Sequence, residues 1–304
     1  MKAALATLAG QGVFVGTSSW KYAGWCGLLY DRERYQARRK FAEARFNRNC
    51  LAEYAEVFKT VCVDAAYYKF PERHCLEELC SQTPPDFKFA FKVTDDITLK
   101  NFPNLPRFGV RAGTANANFL NADLFISNFL GPCELFRDKL GVLIFEFSKF
   151  YPSDYRLGRA FASDLDLFLS KLPKDWPYAV EIRNKHFLHP SYFEVLNRHG
   201  VAHTFNSWGE MPAVIEQLGC AGSRTCSNLC AARFLLKPGR KYQEAVDLFQ
   251  PYHTLKEPNA EARAAAAALI QEGLASGGER KTFIYVNNRL EGNALETIAA
   301  ILEM

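Results

Sequence analysis

Eight short and almost continuously apolar runs recur along the chain, and segments with helical spacing separate them. The runs cover residues 13–19, 61–67, 88–94, 142–148, 178–183, 201–207, 230–236 and 282–288. Helical spacing or propensity marks residues 46–59, 71–80, 116–136, 154–172, 192–199, 211–218, 242–249, 259–275 and 290–302. The helix at 116–136 is expected to end or kink around Gly131-Pro132. Strands that are covered on both faces lose the apolar–polar alternation of half-buried strands, so the pattern indicates a parallel α/β sheet.

The number of strand–helix units favours a closed barrel over an open sheet. A chain of 304 residues suits a (β/α)8 barrel of about 250 residues with insertions. No G-x-G-x-x-G motif follows the first strand, which argues against a dinucleotide-binding open sheet. The sequence therefore predicts one α/β domain over residues 1–304, a TIM-barrel-like fold with parallel strands and a long loop after strand one.

The net charge of +4 is too small to indicate nucleic-acid binding, but the positive excess is local. Residues 31–48 contain seven Lys or Arg against three Asp or Glu, an excess equal to the net charge of the whole chain. One interpretation is a solvated, partly helical loop. The other is a strip or lid that faces an anionic ligand.

The nine cysteines indicate a reducing compartment rather than a disulfide framework. Their number is odd and no C-x-x-C pair occurs. Cys220, Cys226 and Cys230 lie close in sequence, but no nearby His completes a familiar zinc motif. The first residues, MKAALATLAGQG, are short and weakly charged for a signal peptide, and no apolar run reaches membrane length. We expect a cytoplasmic protein without membrane association.

Polar side chains stand at the carboxyl ends of seven of the eight predicted strands. The segment YAVEIRNKH, residues 178–186, begins apolar and ends with Glu181 and Arg183, which share one face of a strand. In a parallel barrel the carboxyl ends of all strands meet at one mouth. The other strand ends place there Ser18, Asp64, Lys92, Glu146, Asn206, Asn287 and Asn288.

These residue types are suited to acid–base chemistry. Glu181 is the first candidate for a general acid or base, with Asp64 and Glu146 as further carboxylates. The planar fork of Arg183 would hold a carboxylate or phosphate, while Lys92 would stabilise negative charge or act as an acid. Tyr68, which follows strand two, would donate a proton. The alternative interpretation is a set of satisfied ion pairs that closes the barrel.

A divalent metal is possible through Asp64, Glu146, Glu181 and His203. The positive charges of Lys92 and Arg183 already balance the carboxylates, however, and His203 is better explained as a packed strand residue. We therefore predict neither a metal nor another cofactor.

Two further features border the predicted mouth. Arg240 follows strand seven, and Arg289 precedes the last helix, where many TIM barrels bind phosphate at helix amides. The aromatic residues Trp20, Tyr22 and Trp25 follow strand one and would stack on sugars or bases, or else pack under the loop.

Several motifs, in this order, resemble the YecE-like family, domain of unknown function 72. They are GTSSWKYAGWCG, LAEYAEVFKTV running into YYKFP, FAFKVTDDIT, LIFEF, YAVEIRN and VNNRLEGNA. The resemblance implies a TIM-barrel-like fold and no defined activity. Cys62 and Asp64 stand where the family pattern has Glu and Asn, and Glu146 with Ser148-Lys149 replaces its Gln-Pro. Asp64 and Glu146 at these positions imply a more acidic site than is usual in the family, and an inserted basic loop lengthens the segment after strand one.

The sequence supports three functional hypotheses. The first is an enzyme, a hydrolase, isomerase or lyase, that acts on a small phosphorylated or anionic carbohydrate-like substrate at the mouth. The second is a protein that binds nucleic acid or processes phosphodiesters through residues 31–48. The third is a non-catalytic scaffold that binds a ligand. The oligomeric state is not indicated by the sequence.

Overall fold

The eight predicted apolar runs form one closed parallel barrel in a computed structural model, which describes residues 1–304. Each strand is hydrogen-bonded to the next along the chain, and the last pairs with the first. The TIM-barrel prediction is therefore confirmed. The strands are β1 (Val13–Thr17), β2 (Thr60–Val63), β3 (Lys88–Lys92), β4 (Leu140–Phe147), β5 (Tyr178–Ile182), β6 (Ala202–Asn206), β7 (Leu229–Phe234) and β8 (Lys281–Val286).

Helices surround the barrel and cover the outer face of every strand. The longer ones are Lys2–Gly10, Glu43–Ala55, Arg73–Ser81, Gly158–Ser170, Pro190–His199, Tyr242–Phe249, Ala260–Ala275 and Ala294–Leu302. Shorter α-helical segments are Ala65–Tyr68, Asp95–Thr98, Ala122–Phe125, Gly131–Cys133 and Val214–Leu218. None of the helices combines the length and the apolarity that crossing a lipid bilayer requires.

Three local elements differ from the predictions. The helix Lys2–Gly10 was not indicated by the sequence pattern. The helix predicted over 116–136, with an end or kink around Gly131-Pro132, begins only at Ala122 and contains a π-helical turn at Ile126–Leu130 and a 3-10 segment at Glu134–Lys139. Pro132, within that stretch, lacks the backbone N–H that a regular helix needs.

The long loop after β1 contains a hairpin, Gln36–Ala37 paired with Lys40–Phe41. Its turn residues, Arg38 and Arg39, take left-handed φ values of 50° and 61° and give no turn signal in the sequence.

Alternate residues of each strand point into the barrel, and the lower inner layers are apolar. Small residues, among them Ala90, Ala179, Ala202 and Ala231, pack there with the rings of Phe14 and Phe283. The opposite faces of the strands pack against the helices in a second cluster of 67 buried residues that is rich in Phe. A fully buried side chain of this size stabilises the fold by about 1.5–3 kcal/mol, so the outer layer supplies most of the hydrophobic stabilisation.

Candidate functional site at the carboxyl ends of the strands

On five strands the inward-facing side chains change from apolar to charged toward the carboxyl end of the barrel. Asp64 lies two residues after Cys62, Lys92 two after Ala90, Glu146 two after Ile144, Glu181 two after Ala179, and Arg233 two after Ala231. Because the side-chain period of a strand is two, all five point to the barrel axis. With Arg183, the next inward residue beyond Glu181, they form a set that we call the buried charge cluster: Asp64, Lys92, Glu146, Glu181, Arg183 and Arg233.

Glu146 lies at the centre of this cluster. Its Oε2 atom is 3.2 Å from Lys92 Nζ, 2.8 Å from Arg183 Nη2 and 2.9 Å from Arg233 Nη1. Glu181 Oε2 accepts from Arg233 Nη1 at 2.6 Å, and its Oε1 is 3.3 Å from Arg183 Nε. Asp64 Oδ1 lies 3.2 Å from Lys92 Nζ. Three carboxylates thus face three cations, and the cluster carries no net charge.

Burial makes this balance necessary. Glu181 is fully buried, and Glu146, Arg233 and Lys92 expose 2%, 3% and 6% of their surfaces. Burial alone raises the pKa of Glu146, but Arg183, Lys92 and Arg233 outweigh it and hold the pKa well below its usual range. Burial likewise lowers the pKa of Lys92, and Glu146 and Asp64 outweigh it and raise the pKa above its ordinary value.

Both groups therefore stay ionised at neutral pH while these partners are in place. A general acid or base works best with a pKa near the operating pH, so Lys92 is not suited to act as an acid in this arrangement.

Arg233 is the member of the cluster that the sequence reasoning missed. It occupies an inner position of β7 and bridges Glu146 and Glu181. A signal was present in the sequence, because Arg233 interrupts the apolar run CAARFLL as Glu181 interrupts YAVEI. Arg233 lies three residues before the end of its run, whereas the residues predicted for the mouth lie at or near the strand ends.

Tyr67, and not Tyr68, reaches the cluster. β2 ends at Val63, and a helical turn, Ala65–Tyr68, follows in place of the longer strand that was predicted. The ring of Tyr67 covers Lys92, with its centroid 4.2 Å from Nζ. Tyr68 is 60% exposed and faces Arg107. The expectation that Tyr68 donates a proton at the mouth is therefore corrected, since successive residues on a helical turn point in different directions.

A cleft of about 630 Å³ opens beside the cluster, between the loops that follow β3, β4, β5 and β6. Arg183 is the cluster residue that lines this cleft, together with Ser148, Lys149 and Trp208. The Arg183 guanidinium stacks on the Trp208 ring, with its carbon 4.0 Å from the ring centroid. Arg183 thus connects the buried charges with the open cleft.

Two of the three aromatic residues after β1 are core residues. Trp25 is fully buried and Trp20 is 6% exposed, so neither ring is free to stack on a ligand. Tyr22 is half-buried and packs on Trp25 and Tyr252, with ring centroids 4.8 and 5.6 Å away. Burial raises the pKa of Tyr22 to about 12. Trp20 and Trp25 thus agree with the other interpretation, in which these rings pack under the long loop as its core.

The predicted amide and hydroxyl residues are buried and mostly serve the backbone. Asn206 Nδ2 donates to the carbonyl of Ile182 at 3.0 Å. Asn287 Oδ1 accepts from Arg289 N at 2.9 Å, and Asn288 Oδ1 accepts from Ala294 N at 2.8 Å. These three asparagines fix the loops at the mouth. Ser18 is also buried, and its hydroxyl has no hydrogen-bond partner in the protein.

The predicted phosphate site near Arg240 and Arg289 is not assembled as expected. Arg240 is neutralised by Glu257, at 2.6 Å. The first amides of the helix Ala294–Leu302 are already bound, because the Asn293 side chain accepts from the N–H groups of residues 295 and 296. Arg289 remains without a carboxylate and stacks over the ring of Tyr242 at 4.6 Å. A helix terminus that is capped in this way has few amides left for an anion.

His203 is packed as a strand residue. It lies between aromatic rings, and Nδ1 is 3.1 Å from the Tyr192 hydroxyl. Burial lowers the pKa of His203 to about 4. No group of three or more His, Cys, Asp or Glu side chains is arranged to hold a metal ion.

Comparisons with known proteins agree with this fold. A crystal structure of a DUF72 family protein from Enterococcus faecalis is 18% identical, with a TM-score of 0.60 and coverage of 96% of this chain and 97% of that chain. One from Thermotoga maritima is 18% identical, with a TM-score of 0.59 and 96% coverage of both chains. At this identity the likeness shows the fold alone. No curated protein matches the chain.

The family resemblance drawn from the motifs is confirmed by a match over most of the chain. The family model described as "Protein of unknown function DUF72" matches residues 14–304. The chain therefore belongs to the DUF72 family.

Proposed function

We propose that the protein is an enzyme that acts on a small anionic, carbohydrate-like substrate, phosphorylated or carboxylated, in the cleft beside the buried charge cluster. The observation that carries this proposal is the position of Arg183. Its guanidinium lines the cleft, stacks on Trp208 and at the same time is 2.8 Å from Glu146. Arginine binds carboxylate and phosphate oxygens through a planar fork, which suits an anionic substrate group.

Substrate binding would change the protonation of Glu146. A substrate anion at Arg183 competes with Glu146 for the same guanidinium and adds a negative charge beside the carboxylate. Both effects raise the pKa of Glu146 from its depressed value toward the range useful for proton transfer. Glu181 keeps its bond to Arg233, so its role is to hold the cluster together. Hydrolysis, isomerisation and elimination are the reaction classes that such a proton transfer serves.

The proposal requires neither a metal nor an organic cofactor, because the cationic side chains supply the positive charge. The compartment that we propose is the cytoplasm. All nine cysteines are free thiols, which fits a reducing environment.

Calorimetric titration with ribose 5-phosphate, and with ribose as the neutral control, tests the proposal. We expect the phosphate ester to bind and Arg183→Gln to weaken it roughly 10- to 100-fold, as for a charge-assisted bidentate contact. Arg198→Gln is the matched control, since Arg198 pairs with Asp166 on the outside of the barrel and should leave affinity unchanged. Equal affinity of wild type and a folded Arg183→Gln protein for every phosphorylated and carboxylated sugar of a panel would contradict the proposal.

A second candidate function, nucleic-acid binding, is favoured by the hairpin of the basic segment. Arg38, Arg39 and Lys40 are exposed and stand at or beside its tip. Each phosphate that a protein neutralises on single-stranded DNA adds about 0.7 to the slope of log affinity against log salt. Neutralising the three residues should therefore reduce this slope by roughly two for a labelled single-stranded DNA. An unchanged slope, or no binding at low salt, removes this candidate.

A further inference from the structure

A second cavity, of about 390 Å³, opens at the other end of the barrel, where the strands begin. It is lined by Phe14, Lys88, Trp176, Leu229, Lys281 and Phe283, among others. The apolar inner layers of the barrel separate it from the buried charge cluster. Its volume lies in the range of about 300–1,000 Å³ that is typical of small-molecule sites.

The base of this cavity is aromatic. The rings of Phe14 and Phe283 stack with centroids 4.9 Å apart and an interplanar angle of 13°. Gly141 makes room for the Phe283 ring, because a Cβ atom at position 141 would lie 2.5 Å from it. Trp176 adds a third ring at the side and is 8% exposed. A flat apolar group would therefore find complementary surfaces here.

The rim of the cavity is cationic. Lys88 and Lys281 are the first residues of β3 and β8. Each lies two residues before an inward-facing side chain, Ala90 or Phe283, and therefore also points into the barrel. Lys88 donates to a backbone carbonyl, that of Asp138, and Lys281 has no ion-pair partner.

Lys174, also on the rim, donates to the carbonyl of Leu169 at 3.2 Å and lies 3.1 Å from His199 Nδ1. The carboxylate of Asp175, which also lines the cavity, forms an ion pair with Arg137 Nη2 at 2.5 Å. Three lysines therefore line a cavity with an aromatic base, and none of them forms an ion pair with a carboxylate of the protein. Lys281 is the one whose ammonium group has no hydrogen-bond partner in the protein, so it is the cation available to an acid group.

From this combination we propose that the amino-terminal end of the barrel binds an amphipathic organic acid, a flat apolar ring system that carries a carboxylate or sulfonate. The ring lies against Phe14 and Phe283, and the acid group lies among the lysines. The inference does not depend on the function proposed for the mouth. In TIM barrels this end usually contributes to stability, so a ligand here would be a regulator or cargo and not the substrate of the mouth.

The probe is 1-naphthoate, and 1-naphthalenemethanol is its neutral isostere. We expect saturable binding of naphthoate to the full chain by calorimetry, with quenching of Trp176 fluorescence that Trp176→Phe removes. Lys281→Gln should weaken naphthoate roughly three- to tenfold and leave the alcohol unchanged, as expected for one charge-assisted contact. Lys2→Gln, on the helix Lys2–Gly10, is the control and should change nothing.

Two results would overturn the inference. One is equal binding of naphthoate and the alcohol, or no saturable binding of either. The other is loss of naphthoate binding in Arg183→Gln but not in Lys281→Gln, which would place the anion at the mouth. Thermal unfolding of each variant shows that it is folded, and ribose 5-phosphate should not compete with naphthoate, so the outcome is independent of the proposal for the mouth.

Discussion

At the scale of single residues, the buried charge cluster determines what the mouth is able to do. Taking charged groups out of water costs several kcal/mol for each ion, and only close opposite charges offset this cost. Glu146 meets three cations within 3.2 Å, and Glu181 meets two. The cluster is therefore stable only as a complete set, and a ligand that binds one member changes the electrostatics of all the others.

The first prediction concerns Arg233. Arg233→Met leaves Glu146 and Glu181 with fewer cations in a buried environment, and we expect a loss of about 3–5 kcal/mol in the free energy of unfolding, measured in urea. In the double variant, Glu181→Leu removes the carboxylate that Arg233→Met leaves unbalanced, so part of the lost stability should return. A double-mutant cycle measures this coupling between Arg233 and Glu181. If the single variant is as stable as the wild type, the bridging role of Arg233 is wrong.

At the scale of elements, the barrel closes through a narrow contact between β1 and β2. Their register contains one pair, Thr17 with Val61. A Cβ atom on Gly16 would lie 2.2 Å from the carbonyl oxygen of Thr60, so the two backbones approach more closely there than any side chain allows. The absence of a side chain at position 16 thus lets the sheet close below the mouth.

The second prediction follows from this close approach. Gly16→Ala should destabilise the fold by about 1–3 kcal/mol or more, because backbone cannot move aside as a flexible side chain does. Gly10→Ala, at the end of a helix with nothing within 4 Å of the new Cβ atom, is the matched control and should be neutral or slightly stabilising. Thermal unfolding of both variants distinguishes a closure effect from a general effect of replacing glycine.

At the scale of the whole molecule, buried ionisable groups make stability depend on pH. Burial lowers the pKa of His203 to about 4, so the unfolded chain binds a proton that the folded protein excludes. The pKa of Glu146 is also depressed, by its cations against the effect of burial. In both cases the unfolded state binds more protons as the pH falls, and acid favours unfolding.

The third prediction is the shape of this dependence. The stabilisation linked to His203 is complete above its unfolded pKa of about 6.5 and declines as the pH falls to about 4. The stabilisation linked to Glu146 is complete above an unfolded pKa of about 4.3 and declines only below it. Urea unfolding from pH 7 to 3 should show both phases, and His203→Phe should flatten the first alone. A first phase that persists in His203→Phe must come from another group.

Much of the fold and part of the site could be predicted from the sequence, because both follow from local patterns. Apolar runs of strand length and helical spacing between them are set by burial of neighbouring residues. The inward direction of Asp64, Lys92, Glu146 and Glu181 follows from a period of two once the strands are placed. The places of Tyr67 and Arg233 depended on where each strand ends, which sequence patterns locate poorly.

The sequence by itself thus determined the eight strand–helix units and the inner faces that carry charge, since both depend on residues a few positions apart. Only the tertiary structure decided which cation pairs with which carboxylate and that Trp20 and Trp25 are core residues. It also decided that the Asn293 side chain binds the helix N–H groups at which a phosphate was expected. The partners in these contacts are brought together by the curvature and stagger of the closed barrel, a property of all eight strands at once.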